Sequence, residues 1–351
     1  MLVATEHAVK KWHVAILGGI ISFLAILFIT IQIDIAQLTD ALTTARYIYV
    51  LPCMLLLLVG LVTRAERWRI LLDGDLPLRR VFNIINIGYG INNFIPYRIG
   101  EVARIFLTSR VKPPIPMAKT TSTIITERLL DLLAVVVMAL FALSLAPLPD
   151  GSRQTAFAFG VVAIVGFAVL IVLAWQRSLT EKLIHFFVER IPLLQRLPVE
   201  QITAQFLDGL APLTRPVSLI GAFFWTAASW TVSCFAGYVL MFAFYDEASW
   251  ATTLLYISSA AFAIAVPAVP GNLGTYELSI LGAMSLMGYA LDATATSFAV
   301  MVHAVNLSVH AATGIYGFVQ EGVTWQQLSD GVNQMKQKPS DILETSQGHQ
   351  P

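Results

Sequence analysis

The stretch V-F-N-I-I-N-I-G-Y-G-I-N-N-F-I-P-Y-R-I-G, Val81 to Gly100, decides how the chain folds. From Val81 to Ile95 it is apolar but short, carries Asn83, Asn86, Asn92 and Asn93, and ends at Pro96. A hydrocarbon core needs about 20 consecutive apolar residues of helix, so this segment does not cross a bilayer in the ordinary way. Proline lacks the backbone donor and biases the preceding residue away from helix, so one helix stops before Pro96 and another starts near Ile99. The result is a pair of half-helices, either a re-entrant hairpin or a broken span. Backbone groups freed at the break need protein or water partners, so the break must be hidden from lipid. Thr252 to Tyr289 reads the same way: it is long and apolar but broken at Pro267, Pro270, Gly271 and Gly274.

The rest of the chain supplies the solvent that such breaks require. Of its 351 residues, 56% are hydrophobic and only 13% charged. Soluble domains carry about 25% charge, so this composition excludes a cytosolic enzyme, a disordered chain and a secreted disulfide scaffold. A net charge of zero gives no basic footprint for nucleic acid. Cys53 and Cys234 both lie in apolar runs and read as packing residues. Six full spans are expected: Val14–Ile33, Tyr47–Thr63, Thr120–Ala146, Ala156–Trp175, one within Val217–Tyr245, and Ser297–Val319. Trp12, Trp68, Trp175, Trp250 and Trp325 sit near span ends as interface anchors. The stretch from Leu179 to Leu213 is amphipathic and suits a connector on the membrane surface.

Charge sets the orientation. Of the 22 Lys and Arg, all but Arg46, Arg128 and Arg153 fall at the N-terminus, after the second span, before the third, between the fourth and fifth, or in the C-terminal tail. The positive-inside rule makes that side, and both termini, cytoplasmic. This works only if each odd segment returns to the side it left. The chain is then an all-α polytopic membrane protein of six transmembrane helices plus two re-entrant or broken-helix hairpins, at about 81–105 and 252–290. They form two inverted halves, 10–150 and 151–321, of a single membrane domain 1–321. Residues 322–351 read as a polar, disordered cytoplasmic tail. A short repeat agrees: Pro96-Tyr97-Arg98-Ile99-Gly100 and Pro270-Gly271-Asn272-Leu273-Gly274 share P-x-x-[IL]-G, and each sits at the break of its own odd segment. Inverted repeats with broken helices are a transporter architecture.

The longer run G-Y-G-I-N-N-F-I-P-Y-R-I-G-E-V-A-R (Gly88–Arg104), with T-E-R-L-L-D (Thr126–Asp131) and P-A-V-P-G-N-L-G-T-Y-E (Pro267–Glu277), resembles the lysylphosphatidylglycerol synthase transmembrane-region family, also called flippase-like proteins. Asn272 stands where that family's P-G-G motif has its second glycine, and Asn tolerates left-handed backbone. The resemblance implies a multi-pass protein of a prokaryotic cell membrane that moves a phospholipid or a polyprenyl-phosphate-linked lipid between leaflets. The family's bifunctional members carry a separate soluble aminoacyltransferase domain. Thirty polar residues after the last span leave no room for one, so the membrane activity is expected without the synthase activity.

The residues expected to touch substrate are Asn93, Pro96, Arg98, Gly100, Glu101, Arg104, Glu127, Arg128, Asp131, Pro270, Gly271, Asn272, Gly274, Tyr276 and Glu277. Arg98 beside a helix N-terminus suits a phosphate oxygen, with Glu101 and Arg104 able to pair at i, i+3; the alternative is an interfacial cluster that serves topology. Glu127, Arg128 and Asp131 share an inward face, as a headgroup path or as an ion-pair lattice between helices. Glu277 is a carboxylate at a helix start, either dipole compensation or a partner for a cationic headgroup, a proton or a gating arginine. His303, Asn306 and His310 form a polar stripe on the last span, read as helix packing ahead of a proton relay. No cofactor, metal or nucleotide motif is present, so none of these is expected. Two other functional classes stand beside transport. One is a membrane transferase with a lipid-phosphate donor, and the other is a scaffold that partners a lipid-biosynthetic enzyme.

Overall fold

The computed structural model describes residues 22–24, 27, 35–95, 98–147, 150–190, 203–204, 207, 214–265 and 270–337. Their regular structure is entirely helical: α1 Ile35–Thr44, α2 Val50–Leu71, α3 Leu78–Phe94, α4 Ile99–Ser109, α5 Met117–Leu145, α6 Asp150–Trp175, α7 Arg177–Arg190, α8 Pro216–Met241, α9 Trp250–Ala265, α10 Thr275–Leu286, α11 Ala293–Glu321 and α12 Trp325–Gln337, with 3-10 turns at Tyr47–Tyr49 and Pro270–Asn272. Among the described residues, four stretches are long and apolar enough to cross a membrane: Tyr47–Leu71, Met117–Leu145, Pro216–Met241 and Ala293–Glu321. Two shorter apolar helices are Gly160–Val169 and Trp250–Ile264. The chain is an all-α membrane-spanning protein. Its outward faces confirm the solvent: Val217 is 84% exposed and Val319 72%, an arrangement that only lipid accommodates on this scale.

Local sequence explains the helix limits. Pro216 opens α8 at a first-turn position where no backbone donor is needed. Asp292 caps α11 by accepting from the Ala295 N–H at 2.9 Å. Gly322 closes α11 in left-handed backbone, φ 62.

Both odd segments are helix pairs. In the first, α3 and α4 pack on each other antiparallel, with Asn92 Oδ1 accepting from the Gly100 N–H at 2.8 Å. The approach needs glycine: a Cβ on Gly100 would overlap the Gly88 carbonyl oxygen. In the second, α9 packs on α10. The two breaks share a backbone device. Arg98, at the head of α4, has φ 52, and Asn272, before α10, has φ 53. Both are non-glycine residues in left-handed backbone, at matching places in the P-x-x-[IL]-G repeat.

Helix packing is paired in the same way. α2 packs on α8; α3 packs on α11 as α9 does on α5; α4 packs on α5 as α10 does on α11; and α2 meets α11 as α8 meets α5. Buried apolar residues form two clusters. One centres on Trp68, Ile84, Ile85 and Leu107 of α2–α4. The other centres on Tyr256, Ile280 and Phe298 of α9–α11.

Several expectations change. The second span runs on past Thr63 to Leu71, so Arg64 and Arg67 lie inside a helix and not in a loop. Trp68 is no interface anchor: it is fully buried beneath Arg104, whose guanidinium sits 3.9 Å from the indole ring. The expected disordered tail is helical at Trp325–Gln337, because Leu328 and Val332 bury one face and Gly331 lies against Phe106 of α4. Of the expected first span only 22–24 and 27 are described, as helix; Trp12 and most of Val14–Ile33 lie outside the described residues. Cys53 and Cys234 are free and buried.

Candidate functional site

A cavity of about 790 Å³ opens where the two hairpin breaks meet. From the first come Asn92, Asn93, Ile95 and Arg98; from the second come Ile264, Gly271, Asn272 and Tyr276. The breaks are tied together: Arg98 Nη2 donates to the Ile264 carbonyl at 3.1 Å. That carbonyl belongs to the last turn of α9, where unpaired C=O groups carry partial negative charge.

The lining is divided in character. Leu57, Leu61, Leu132, Val135, Leu240, Ile257 and Phe262 make it apolar over most of its surface. Arg64, Arg98 and Arg128 bring three guanidiniums to it, with Asp131 the acidic residue of the lining. Arg128 is held by Glu101, at 2.7 and 3.0 Å from its Nη2 and Nε, and Arg98 lies 3.7 Å from the same carboxylate. Arg64 differs. Its contacts among the described residues are a long hydrogen bond to Ser233 Oγ at 3.5 Å and approaches to the Trp230 and Tyr89 rings at 5.4 and 6.0 Å. Asn93 Nδ2 and the Tyr256 hydroxyl also belong to lining residues, and both are buried without a hydrogen-bond partner.

Behind the cavity lies a largely buried lattice, which meets the cavity at Asp131, 18% exposed. Arg67, at 0% exposure, binds Asp131 through both oxygens at 2.6 and 3.1 Å, Glu127 at 3.1 Å and Thr226 at 3.3 Å. Arg104 pairs with the other oxygen of Glu127. Trp230 Nε1 donates to Asp131 at 3.1 Å, and Trp68 Nε1 to Thr123 at 3.0 Å. Ions this far from water persist only when paired and hydrogen-bonded, and here each carboxylate has two donors or more. The lattice joins α2, α4, α5 and α8.

A second buried pair sits in the other half. Glu277 Oε1 is 2.6 Å from His303 Nδ1, while Oε2 accepts from the Gly274 N–H at 2.8 Å. Tyr276 lies over the His303 ring, centroids 4.4 Å apart. One carboxylate thus closes the turn at the break and ties α10 to α11.

The sequence-expected residues therefore divide. Asn93, Arg98, Arg128, Asp131, Gly271, Asn272 and Tyr276 line the cavity. Glu101 orients two of its arginines. Arg104 and Glu127 belong to the lattice, and Gly100, Gly274 and Glu277 build the turns. Pro270 opens the short turn before α10; Pro96 lies outside the described residues. Of the polar stripe on the last span, Asn306 and His310 reach the cavity while His303 serves Glu277. Arg64 and Arg67, read as topology charges, were missed. Their signal was present: Arg64, Arg67, Trp68 and Leu71 recur at helical spacing on one face, which a span ending at Thr63 conceals. Among the described residues no three His, Cys, Asp or Glu side chains gather to hold a metal ion.

The model of the lysylphosphatidylglycerol synthase TM region matches residues 15–314. The chain belongs to this family. The match takes in both hairpins, the lattice and the cavity. A UPF0104 membrane protein of Methanothermobacter thermautotrophicus (strain Delta H) is similar, 26% identical over 281 residues, covering 76% of this chain and 82% of its own. No solved structure matches the chain. Family membership associates the fold with lipid-handling membrane modules.

Proposed function

We propose that this protein moves a phospholipid or polyprenyl-phosphate-linked lipid between leaflets, with the cavity between the two hairpins as the headgroup site. The observation that carries the reading is that one cavity is both apolar and argininium-lined, and is bounded by the breaks of both hairpins. An amphiphile needs that division: chains along Leu132, Phe262 and their neighbours, phosphate at Arg98, Arg128 and Arg64. The paired helix contacts, and the equal backbone angles at Arg98 and Asn272, support an inverted repeat of six spans and two re-entrant hairpins in one membrane domain. The charge distribution supports both termini on the cytoplasmic side, and the family supports a prokaryotic cell membrane. The headgroup would meet Arg98, Glu101 and Arg128 first, pass Asp131 and Asn93, and leave past Asn272 and Tyr276, with Arg104, Glu127 and Glu277 holding the walls.

The test is leaflet exchange of headgroup-labelled phospholipids in proteoliposomes. Wild type is expected to exchange lipid, with Arg98→Ala and the cavity-filling Ala261→Trp each slowing exchange at least tenfold at equal insertion. Absence of wild-type exchange across anionic and zwitterionic lipids, with and without a proton gradient, overturns the reading in favour of a transferase or scaffold role.

A further inference from the structure

The charges of the arginine cluster beside the cavity do not cancel among themselves. Arg64, Arg67, Arg98, Arg104 and Arg128 are five guanidiniums, always protonated. They share three carboxylates: Glu101 with Arg98 and Arg128, Glu127 with Arg67 and Arg104, and Asp131 with Arg67. The cluster has two positive charges in excess, in a setting where uncompensated charge is costly. Arg64 has no carboxylate within ion-pairing distance among the described residues, Asp131 reaching it only at longer range, and it lines the cavity. On the lining of the same cavity the Asn93 amide is a buried donor with no acceptor among the described residues, so a cation and a donor both lack an anion there.

We infer that Arg64 anchors the headgroup phosphate and that the site selects lipids by negative charge, favouring a phosphomonoester or diphosphate headgroup over zwitterionic and cationic ones. This rests on the lipid-translocation reading for the identity of the ligand, but the charge argument stands apart from movement. A phosphomonoester carries about −1.5 to −2 at neutral pH, the charge that balances the excess. A phosphodiester with a free alcohol headgroup supplies half of it. A headgroup bearing one or more ammonium groups supplies none, and an aminoacylated one would add to the repulsion. A phosphate held at Arg64 leaves the acyl or prenyl chain free to lie against Leu57, Leu61 and Leu132 of the same cavity.

The experiment has two arms. In the first, lipid binding to detergent-purified protein is ranked by native mass spectrometry for phosphatidic acid, phosphatidylglycerol, phosphatidylcholine and lysyl-phosphatidylglycerol. Chain-free glycerol phosphate serves as competitor. Affinity is expected to fall in that order. Arg64→Gln is expected to weaken phosphatidic acid about tenfold or more, the size of one lost charge-assisted hydrogen bond, and to weaken phosphatidylcholine, whose ammonium offsets its phosphate, by clearly less. Arg64→Lys, which keeps the charge, is expected to recover part of the loss and guards against a folding artefact. Equal binding of all four lipids, or an equal loss for all four in Arg64→Gln, overturns the inference. Competition by glycerol phosphate as strong as by the lipid overturns the lipid as ligand. In the second arm the same lipids are assayed for exchange. Charge-ranked binding without exchange upholds the selectivity and overturns translocation, whereas exchange indifferent to charge does the reverse.

Discussion

Replacing Arg67 by methionine separates a structural lattice from a substrate path. The guanidinium is fully buried and donates to Asp131 twice, to Glu127 once and to Thr226 once. Methionine fills much of the volume, so the loss is electrostatic. It strands Asp131 with the Trp230 N–H and leaves Glu127 with Arg104. Breaking a buried pair from one side costs about 3–5 kcal/mol, because the remaining ion stays desolvated. For a chain this long that corresponds to a fall of roughly 4–7 °C in the midpoint of thermal unfolding. The assay is tryptophan fluorescence of purified protein in detergent at a fixed heating rate, since unfolding of such proteins is commonly irreversible. Arg67→Met with Asp131→Asn should be less destabilised than the two single losses added, by about 1–3 kcal/mol, since the second change removes the stranded charge. A midpoint within about 2 °C of wild type for Arg67→Met, or strict additivity in the pair, would refute the lattice as a stabilising element.

Three further outcomes are expected. Gly100→Ala drives a methyl into the Gly88 carbonyl oxygen and crowds Asn92 Oδ1, so it should lower folded yield severely; Gly282→Ala, on an open face of α10, should be neutral or gain about 0.5–1 kcal/mol. Size-exclusion profiles distinguish the two, and a normal Gly100→Ala profile would contradict the close packing of α3 on α4. Glu277→Gln weakens the tie to His303 but keeps an acceptor for Gly274, and should cost about 1–3 kcal/mol in unfolding while preserving lipid exchange per folded molecule; loss of exchange in well-folded Glu277→Gln would give this carboxylate a role in transport itself. At the turn after α2, partial burial works to raise the Asp73 carboxyl, yet Lys119 and Arg215 outweigh it and hold it below the usual carboxylate range. A depressed folded value stabilises above the unfolded value near 3.9 and loses that benefit as pH falls. Asp73→Asn, which keeps the left-handed turn, should cost at most ~1 kcal/mol at pH 7, with the difference from wild type closing toward pH 3 in thermal melts.

The architecture was legible because it follows from solvent. A bilayer leaves few ways to arrange long apolar runs, and Pro96, Pro270 and Gly271 mark where a helix cannot continue. The same reasoning located the two helix breaks. What it could not supply was depth. Lys and Arg at a span end read alike whether they face water or the protein interior, so Arg64 and Arg67 were assigned to topology, and Arg104 to a headgroup. Only tertiary packing decides that Arg104 lies over Trp68, away from the cavity. The pairing of His303 with Glu277 joins residues 26 apart on different helices, and no local pattern in either helix announces it. The tail helix was missed for another reason: Leu328 and Val332 are too few to signal an amphipathic helix until α4 is placed beneath them.

The two helix breaks share a left-handed residue and differ in charge, and under the proposed function that difference bears on direction. Arg98 and Asn272 occupy matching positions of the repeat with φ 52 and 53, so the left-handed turn is common to both breaks. The charges are not: where the first hairpin has Arg98, Glu101 and Arg104, the second has Asn272, Thr275 and Leu278 at the same offsets. An anion in the cavity would therefore be attracted toward the first hairpin, while the second offers it no arginine and holds its Glu277 carboxylate on His303 and the Gly274 N–H. Since Asn272 lines the same cavity and Arg98 shows that arginine accepts this backbone, the cation can be moved across. Asn272→Arg should place a second well on the far side and slow release of an anionic lipid. Arg98→Asn combined with Asn272→Arg should recover part of the exchange lost in Arg98→Asn alone, because the cavity keeps its charge while the well changes sides. If the swapped protein folds normally and recovers nothing, the position of Arg98 matters beyond its charge, and its bond to the Ile264 carbonyl becomes the feature that exchange depends on.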